Sequence, residues 1–242
     1  MDRGRAGPRG LTNSHSHPLV SLFLTGTDTG VGKTYTAVSL LRLARAAGFR
    51  CAGMKPICCG DRQDAELLLA ASSEGVTIEE VNPVWLKTPA SPFSAALAEG
   101  VEVDVDVHRL IAAVALLRDR FDVVIVEGVG GWLVPIRRDY FVSDFAKAIG
   151  LPVVVVALNR LGCLNHTMLT TRSIAAHGLS CAGVALNVAN GVATAATTTN
   201  AVVLSKIAGV PLLPELSRET SELPSEWREI LLGGITSKPS RD

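Results

Sequence analysis

Three groups of residues in this chain have the types and spacing for phosphate chemistry. The first is Gly26-Thr27-Asp28-Thr29-Gly30-Val31-Gly32-Lys33-Thr34, directly after the apolar run Leu19–Leu24. Glycines let backbone N–H groups curl around an oxyanion, and a following helix turns its positive end toward the same group. In such a loop Lys33 reaches the β- and γ-phosphates and the Thr34 hydroxyl binds Mg²⁺. The usual spacing places a glycine at position 27, whereas here it stands one residue earlier, at Gly26. The second group is Glu127, which ends the apolar run Val123–Val126 and is followed by Gly128, Val129, Gly130 and Gly131. A strand-end carboxylate in phosphate-loop enzymes holds or positions Mg²⁺, and glycines after it let backbone approach phosphate.

The third group is weaker. Lys55 follows the apolar run Cys51–Met54, placed either to neutralise an anion or to sit solvated at the surface. Asp64 comes after the next loop and reads equally as a second acid near the metal or as a helix N-cap. No Asn-Lys-x-Asp guanine box is present; Asn159-Arg160-Leu161-Gly162 does not match one, so ATP is the expected nucleotide.

The elements that must position these residues alternate. Strands are expected at Leu19–Thr25, Cys51–Met54, Val123–Val126, Val153–Ala157, Val184–Leu186 and Val210–Leu213. Helices are expected at Thr34–Ala47, Asp64–Ser73, Val107–Arg118, Ser143–Ile149, Leu164–His177 and Thr194–Ala208. The strand runs are almost wholly apolar, as in a parallel sheet buried on both faces. The chain therefore reads as α/β: a doubly wound, mainly parallel sheet with helices on both faces, of P-loop NTPase type. Ligands in such sheets sit beyond the carboxyl ends of the strands, where all three groups fall.

Composition bounds the rest. Of 242 residues 48% are hydrophobic, enough for a large core, and Lys+Arg 23 balance Asp+Glu 23. A net charge of zero gives no global field for nucleic acid or anionic lipid. The longest aliphatic runs fall short of the roughly 20 residues of a membrane helix, so a cytoplasmic protein is expected. The five cysteines form no CxxC pair and suggest neither a disulfide framework nor zinc. Met1–Pro18 reads as a disordered tail, 19–216 as the P-loop ATPase domain, and 217–242 as an appendage with one short helix, Ser225–Leu232.

Together these motifs resemble dethiobiotin synthetase. The resemblance runs from about Leu22 to Leu216. It rests on residues 25–34, Ala-Gly-Met-Lys-Pro at 52–56, Asp64-Ala65, Ser91-Pro92, Val-Glu-Gly-Val-Gly-Gly-Trp at 126–132, Leu-Gly-Cys-Leu-Asn-His-Thr-Met-Leu-Thr at 161–170, Asn187, and Pro-Leu-Leu-Pro-Glu-Leu at 211–216. It implies ATP-dependent, Mg²⁺-dependent joining of CO₂ to 7,8-diaminopelargonate in a homodimer. It also implies roles. Lys55 and Lys33 would serve catalysis; Thr34, Asp64 and Glu127 would hold Mg²⁺. Asp28 to Thr34 and Gly128 to Gly130 would line the phosphates. Asn187, Val188 and the 215–217 region, with Leu216 and Ser217, would contact adenine. Cys59 and the Gly162-Cys163-Leu164-Asn165 turn would meet the substrate, the turn serving the partner's site.

Some positions depart from the family pattern. Position 30 is often Glu there and is Gly here; Cys59 stands where a Ser or Thr hydroxyl is common, and a thiol bonds more weakly. The 57–64 loop is short. Rival readings of the same loop class are a partitioning-type ATPase and a regulatory nucleotide module. The first carries a signature Lys where this chain has Asp28, and the second would not need Lys33, Lys55, Asp64 and Glu127 together. Amide-forming ligases of cobalamin synthesis need a further domain.

Overall fold

The computed structural model describes residues 21–100, 105–188 and 193–231. The expected tail 1–18 and the last residues of the appendage lie outside them. In chain order the elements are β1 (Leu22–Gly26), α1 (Lys33–Ala46), β2 (Cys51–Met54), β3 (Ile57–Cys59), α2 (Gln63–Ala71), α3 (Ile78–Val81), β4 (Val84–Leu86), α4 (Pro92–Ala98), α5 (Val107–Arg120) and β5 (Val123–Gly131). They continue as β6 (Pro135–Arg137), β7 (Tyr140–Phe141), α6 (Val142–Ile149), β8 (Val153–Asn159), α7 (Cys163–Ala176), β9 (Cys181–Val188), α8 (Ala195–Ile207), β10 (Leu212–Leu213) and α9 (Ser225–Leu231).

Six strands form one parallel sheet in the order β10-β9-β8-β1-β5-β2. The order reverses around β1, which starts the chain in the middle of the sheet, and loops at such a reversal leave a crevice at the strands' carboxyl ends. The apolar strand runs follow from burial on both faces. Leu22, Leu24, Val123, Ile125, Val154 and Val156 face one core with α1, α2 and α9. Phe23, Val124, Val126, Val153 and Val155 face the other with α5 and α6. Side chains alternate across each strand, so a strand covered on both sides needs apolar residues at every position.

The segment expected as an appendage packs on the first of these cores. Trp227 is wholly buried and donates its indole N–H to the Pro214 carbonyl at 2.9 Å. Leu223, Ile230 and Leu231 pack beside it. Two small sheets were not expected from sequence: a parallel pair β3–β4 and an antiparallel pair β6–β7. The first carries the chain from β2 out to the cleft.

Candidate active site

The chain leaves β1 at Gly26 and turns through residues 27–32 into α1. A Cβ at Gly26 would fall 2.6 Å from the Asp28 carbonyl oxygen and 2.9 Å from Lys33 Nζ. The displaced glycine of the motif is thus the point where the loop closes on its own lysine. Gly30 and Gly32 have φ of +73° and +90°, in the region that only glycine occupies without strain. The Gly at position 30 therefore suits the loop's backbone. Gly32 caps α1 without a side-chain hydrogen bond, which leaves the first N–H groups of the helix facing the loop. Asn187, on β9, donates from Nδ2 to the carbonyls of Val31 at 2.9 Å and Gly32 at 3.1 Å. It braces the loop from behind.

Lys33 Nζ donates to the Asp28 carbonyl at 3.1 Å. Burial lowers its pKa to about 8, and nearby Lys55 adds to the fall while Glu127, Asp64 and Asp28 oppose it. Lys55 lies just past β2 and is only 4% exposed, so the reading of it as a solvated surface lysine is wrong. Its ammonium stands 2.8 Å from Asp64 Oδ2 and 2.5 Å from Glu127 Oε1. Burial alone would lower the Lys55 pKa; the two carboxylates outweigh it and raise it. Burial likewise pushes Asp64 up, and the Lys55 charge and hydrogen bond, with the Thr34 hydroxyl, hold it below the ordinary range.

Asp64 does not cap α2. Arg62 holds that position and Asp64 lies in the first turn, aimed at the cleft. Thr34 Oγ1 lies 2.8 Å from Asp64 Oδ1 and 2.9 Å from Glu127 Oε1. One hydroxyl proton serves one carboxylate at a time. Glu127 is fully buried, and its Oε2 has no hydrogen-bond partner. A buried anionic oxygen without a partner calls for a cation or a donor. A hydroxyl and two carboxylates are hard oxygen donors of the kind Mg²⁺ takes beside phosphate oxygens and water, so these residues fit that ion.

These groups share a cleft of about 700 Å³, which is also lined by Thr29, Gly30, Val129, Gly130, Cys58, Cys59 and Pro89–Ser91. Packing also bears on Gly128: a Cβ there would meet the Phe23 ring at 3.0 Å. Val31 is buried in the core, and Asp28 pairs with Arg160 at 3.2 Å. Leu216 is buried in the core, whereas Val188 is exposed. Ser217 lines a separate groove with Tyr35, Arg42 and Thr220. Gly162, Cys163, Leu164 and Asn165 open α7 away from the main cleft. Cys163 is buried there and Asn165 exposed.

Sequence reasoning missed Asn82 and Arg62, which bind the backbone and the helix that carry Lys55 and Asp64. No motif marks them. The Thr77-x-x-Glu80 pattern before Asn82 marks a helix start, but nothing in it marks what Asn82 or Arg62 bonds.

Comparison with known proteins places the chain. The family model described as an AAA domain matches residues 20–220. The chain is 41% identical over 196 residues to the ATP-dependent dethiobiotin synthetase BioD of Akkermansia muciniphila, covering 81% of this chain and 91% of that one. The protein of the same name from Anaeromyxobacter dehalogenans is 46% identical over 170 residues, covering 69% and 75%. The chain belongs to the dethiobiotin synthetase family. Like the named synthetases it is an ATP-dependent ligase. Among solved structures, the signal recognition particle receptor FtsY from Elizabethkingia anophelis in complex with GDP aligns with a TM-score of 0.51 at 16% identity. It covers 92% of this chain and 66% of that one, and it shares the P-loop NTPase fold alone. Among the described residues no helix is long and apolar enough to cross a membrane.

Proposed function

We propose that the chain makes dethiobiotin from 7,8-diaminopelargonate, CO₂ and ATP, and that it does so as a homodimer. The observation that carries this reading is the buried Lys55, held between Asp64 and Glu127 in the same cleft as the phosphate loop. One amine of the diamine takes up CO₂ as a carbamate. The carbamate oxygen attacks the γ-phosphorus of ATP, and the bond to the ADP oxygen breaks. The second amine then attacks the carbamoyl carbon, closing the cyclic urea and expelling phosphate.

The obstacle is that an anionic carbamate must approach an anionic phosphate. Lys33 binds the phosphates from the loop. Lys55 brings its positive charge to the line between the two anions, with Asp64 and Glu127 fixing where its Nζ sits. Such preorganised charge stabilises the transferring phosphoryl group, and alignment lowers the barrier further. Thr34, Asp64 and Glu127 would hold Mg²⁺, which would neutralise phosphate charge. Cys58, Cys59 and Pro89–Ser91 close the far wall of the cleft, where the diamine would lie. The carboxylate of the substrate would sit at the Gly162–Asn165 turn of the partner, where a helix start favours an anion. Exposed Leu161 (87%) and Leu169 (61%) flank that turn and support a protein interface there.

The test is phosphate release from Mg·ATP and bicarbonate, with and without 7,8-diaminopelargonate, with mass spectrometry for dethiobiotin. Diamine-dependent release with matching product is expected, and Lys55→Ala should lose it. ATP hydrolysis indifferent to the diamine would overturn this reading in favour of a regulatory or partitioning-type ATPase.

A further inference from the structure

Lys55 lies just past Met54, where β2 ends, so its backbone N–H and carbonyl find partners outside the main sheet. Both polar backbone groups of Lys55 are met by residues 81 and 82. Its N–H donates to the Val81 carbonyl at 2.8 Å, and its carbonyl accepts from Asn82 Nδ2 at 2.8 Å. Asn82 is 2% exposed and its amide is fully engaged. Nδ2 also donates to the Val84 carbonyl at 2.8 Å, and Oδ1 accepts from Arg62 Nε at 2.9 Å. Arg62 donates again through Nη2 to the Asn82 carbonyl at 2.9 Å and the Ile78 carbonyl at 3.3 Å. Its guanidinium lies over Trp85, 5.2 Å from the ring centre. Arg62 is the residue from which α2 starts, and Asp64 stands two residues further on.

One buried amide thus bonds the backbone of Lys55 and the guanidinium that fixes the start of the Asp64 helix. Neither Asn82 nor Arg62 lines the cleft. We propose that Asn82, clamped by Arg62, is a positioning residue that holds Lys55 and Asp64 in register, so that the ammonium stays on the path of the transferred phosphoryl group. The kinetic part of this proposal rests on the reaction proposed above; the placement of Lys55 does not. A plain alternative exists: a satisfied buried Asn that only closes the β3–β4 connection. The two make different predictions, because a misplaced lysine slows chemistry without weakening nucleotide binding.

The experiment uses Asn82→Asp, which keeps size and the acceptor toward Arg62 but removes the donor to the Lys55 carbonyl. A second variant, Arg62→Met, keeps the stem on Trp85 and lies nearer the surface, and Arg62→Lys is its conservative rescue. Assays run well below each variant's Tm. For both Asn82→Asp and Arg62→Met, kcat for dethiobiotin should fall by about 10²-fold with KM for ATP nearly unchanged, the size of effect that small misplacement gives. Arg62→Lys should recover much of the loss. Alongside, a pulse of acetic anhydride is read by mass spectrometry. Lys55 should gain label in the first two variants while Lys33 does not. Parental kcat with Lys55 still protected would overturn the proposal. So would a loss of kcat that only follows loss of folded protein, with Lys33 and Lys55 unmasked together. If the parental chain itself made no dethiobiotin, the reaction reading would fall, and the labelling would still decide the placement of Lys55.

Discussion

Lys55, Asp64, Glu127 and Thr34 form a cluster in which each group makes sense only beside the others. Glu127 is fully buried, so removing its cation leaves an uncompensated charge in a low-dielectric site. Lys55→Met should therefore cost about 3–5 kcal/mol of stability as well as activity. Lys55→Met combined with Glu127→Gln should be more stable than Lys55→Met alone, although it stays inactive. Urea denaturation of the four members of this cycle measures the coupling; purely additive losses would show that the pair is not the source. Cys59 tests a different residue-scale point. Burial pushes its thiol up to about 11, with the Lys55 charge opposing and Glu99 adding to the rise. At neutral pH the group is a protonated thiol, and only the thiolate reacts. Alkylation of Cys59 by iodoacetamide should be slow at pH 7, and its rate should climb about tenfold per pH unit until it levels off near pH 11. Nucleotide with diamine should protect it, since Cys59 lines the cleft. Fast labelling at pH 7 would contradict the buried environment.

At the scale of elements, the phosphate loop contains two glycines in similar backbone conformations but different surroundings. Around Gly30 nothing lies within 4 Å of a built Cβ, while at Gly32 that atom would sit 2.3 Å from Asn187 Nδ2. Gly30→Ala meets only backbone strain, about 1 kcal/mol. Gly32→Ala adds a clash that pushes away the amide bracing the loop. ATP affinity, measured by calorimetry, should thus fall only several-fold in the first variant and be nearly lost in the second. Equal effects would mean that Asn187 does not hold the loop. The loop, the main strands and α1 were legible because strand, glycines and helix all give the same local signal, and β2 matched its expected bounds of Cys51–Met54. The strands β3 and β4 were not, because three-residue pieces show no periodicity. Lys55 and Asp64 stayed ambiguous for a related reason. Spacing reports that a residue ends a strand or starts a helix, but only the β3–β4 detour buries the one and turns the other toward it. Asn82 is harder still: its function is to bond the backbone of a residue distant in sequence, and nothing in its neighbours records that. Trp227 shows the same limit, since a lone aromatic in a polar stretch gives no sign of the core it fills.

At the scale of the whole molecule, the main cleft is complete on its phosphate side and short of groups for a substrate carboxylate. Among the described residues Lys33 and Lys55 are the cations lining it, and both already have partners, Lys33 in the Asp28 carbonyl and Lys55 in Asp64 and Glu127. The family resemblance gives the carboxylate to the Gly162–Asn165 turn, which opens α7 outside that cleft. In the homodimer proposed above, a second copy of the chain would bring that turn to the open end of the site. The surface of α7 agrees with this. Cys163, Thr167, Thr170 and Ile174 pack inward, while Asn165, Leu169 and Arg172 form an outward stripe, with Leu161 just before it. The end of β8 that leads into the turn is tied to α8. Asn200, on α8, donates to Asn159 Oδ1 at 2.9 Å and to the Arg160 carbonyl at 3.2 Å, and Asn159 donates to the Thr197 carbonyl at 2.8 Å. Sedimentation of the parental protein should give a dimer. Leu161→Asp with Leu169→Asp places charges on the contact face without touching the core, so the variant should fold but sediment as a monomer. If each site is shared between subunits, that monomer should still bind ATP through its own loop. Its KM for 7,8-diaminopelargonate should rise by about 10²-fold, the value of a lost charge-assisted contact. A monomer with the parental KM would place the whole substrate site within one chain, and the carboxylate would then have to be sought along the wall formed by Cys59 and Pro89–Ser91.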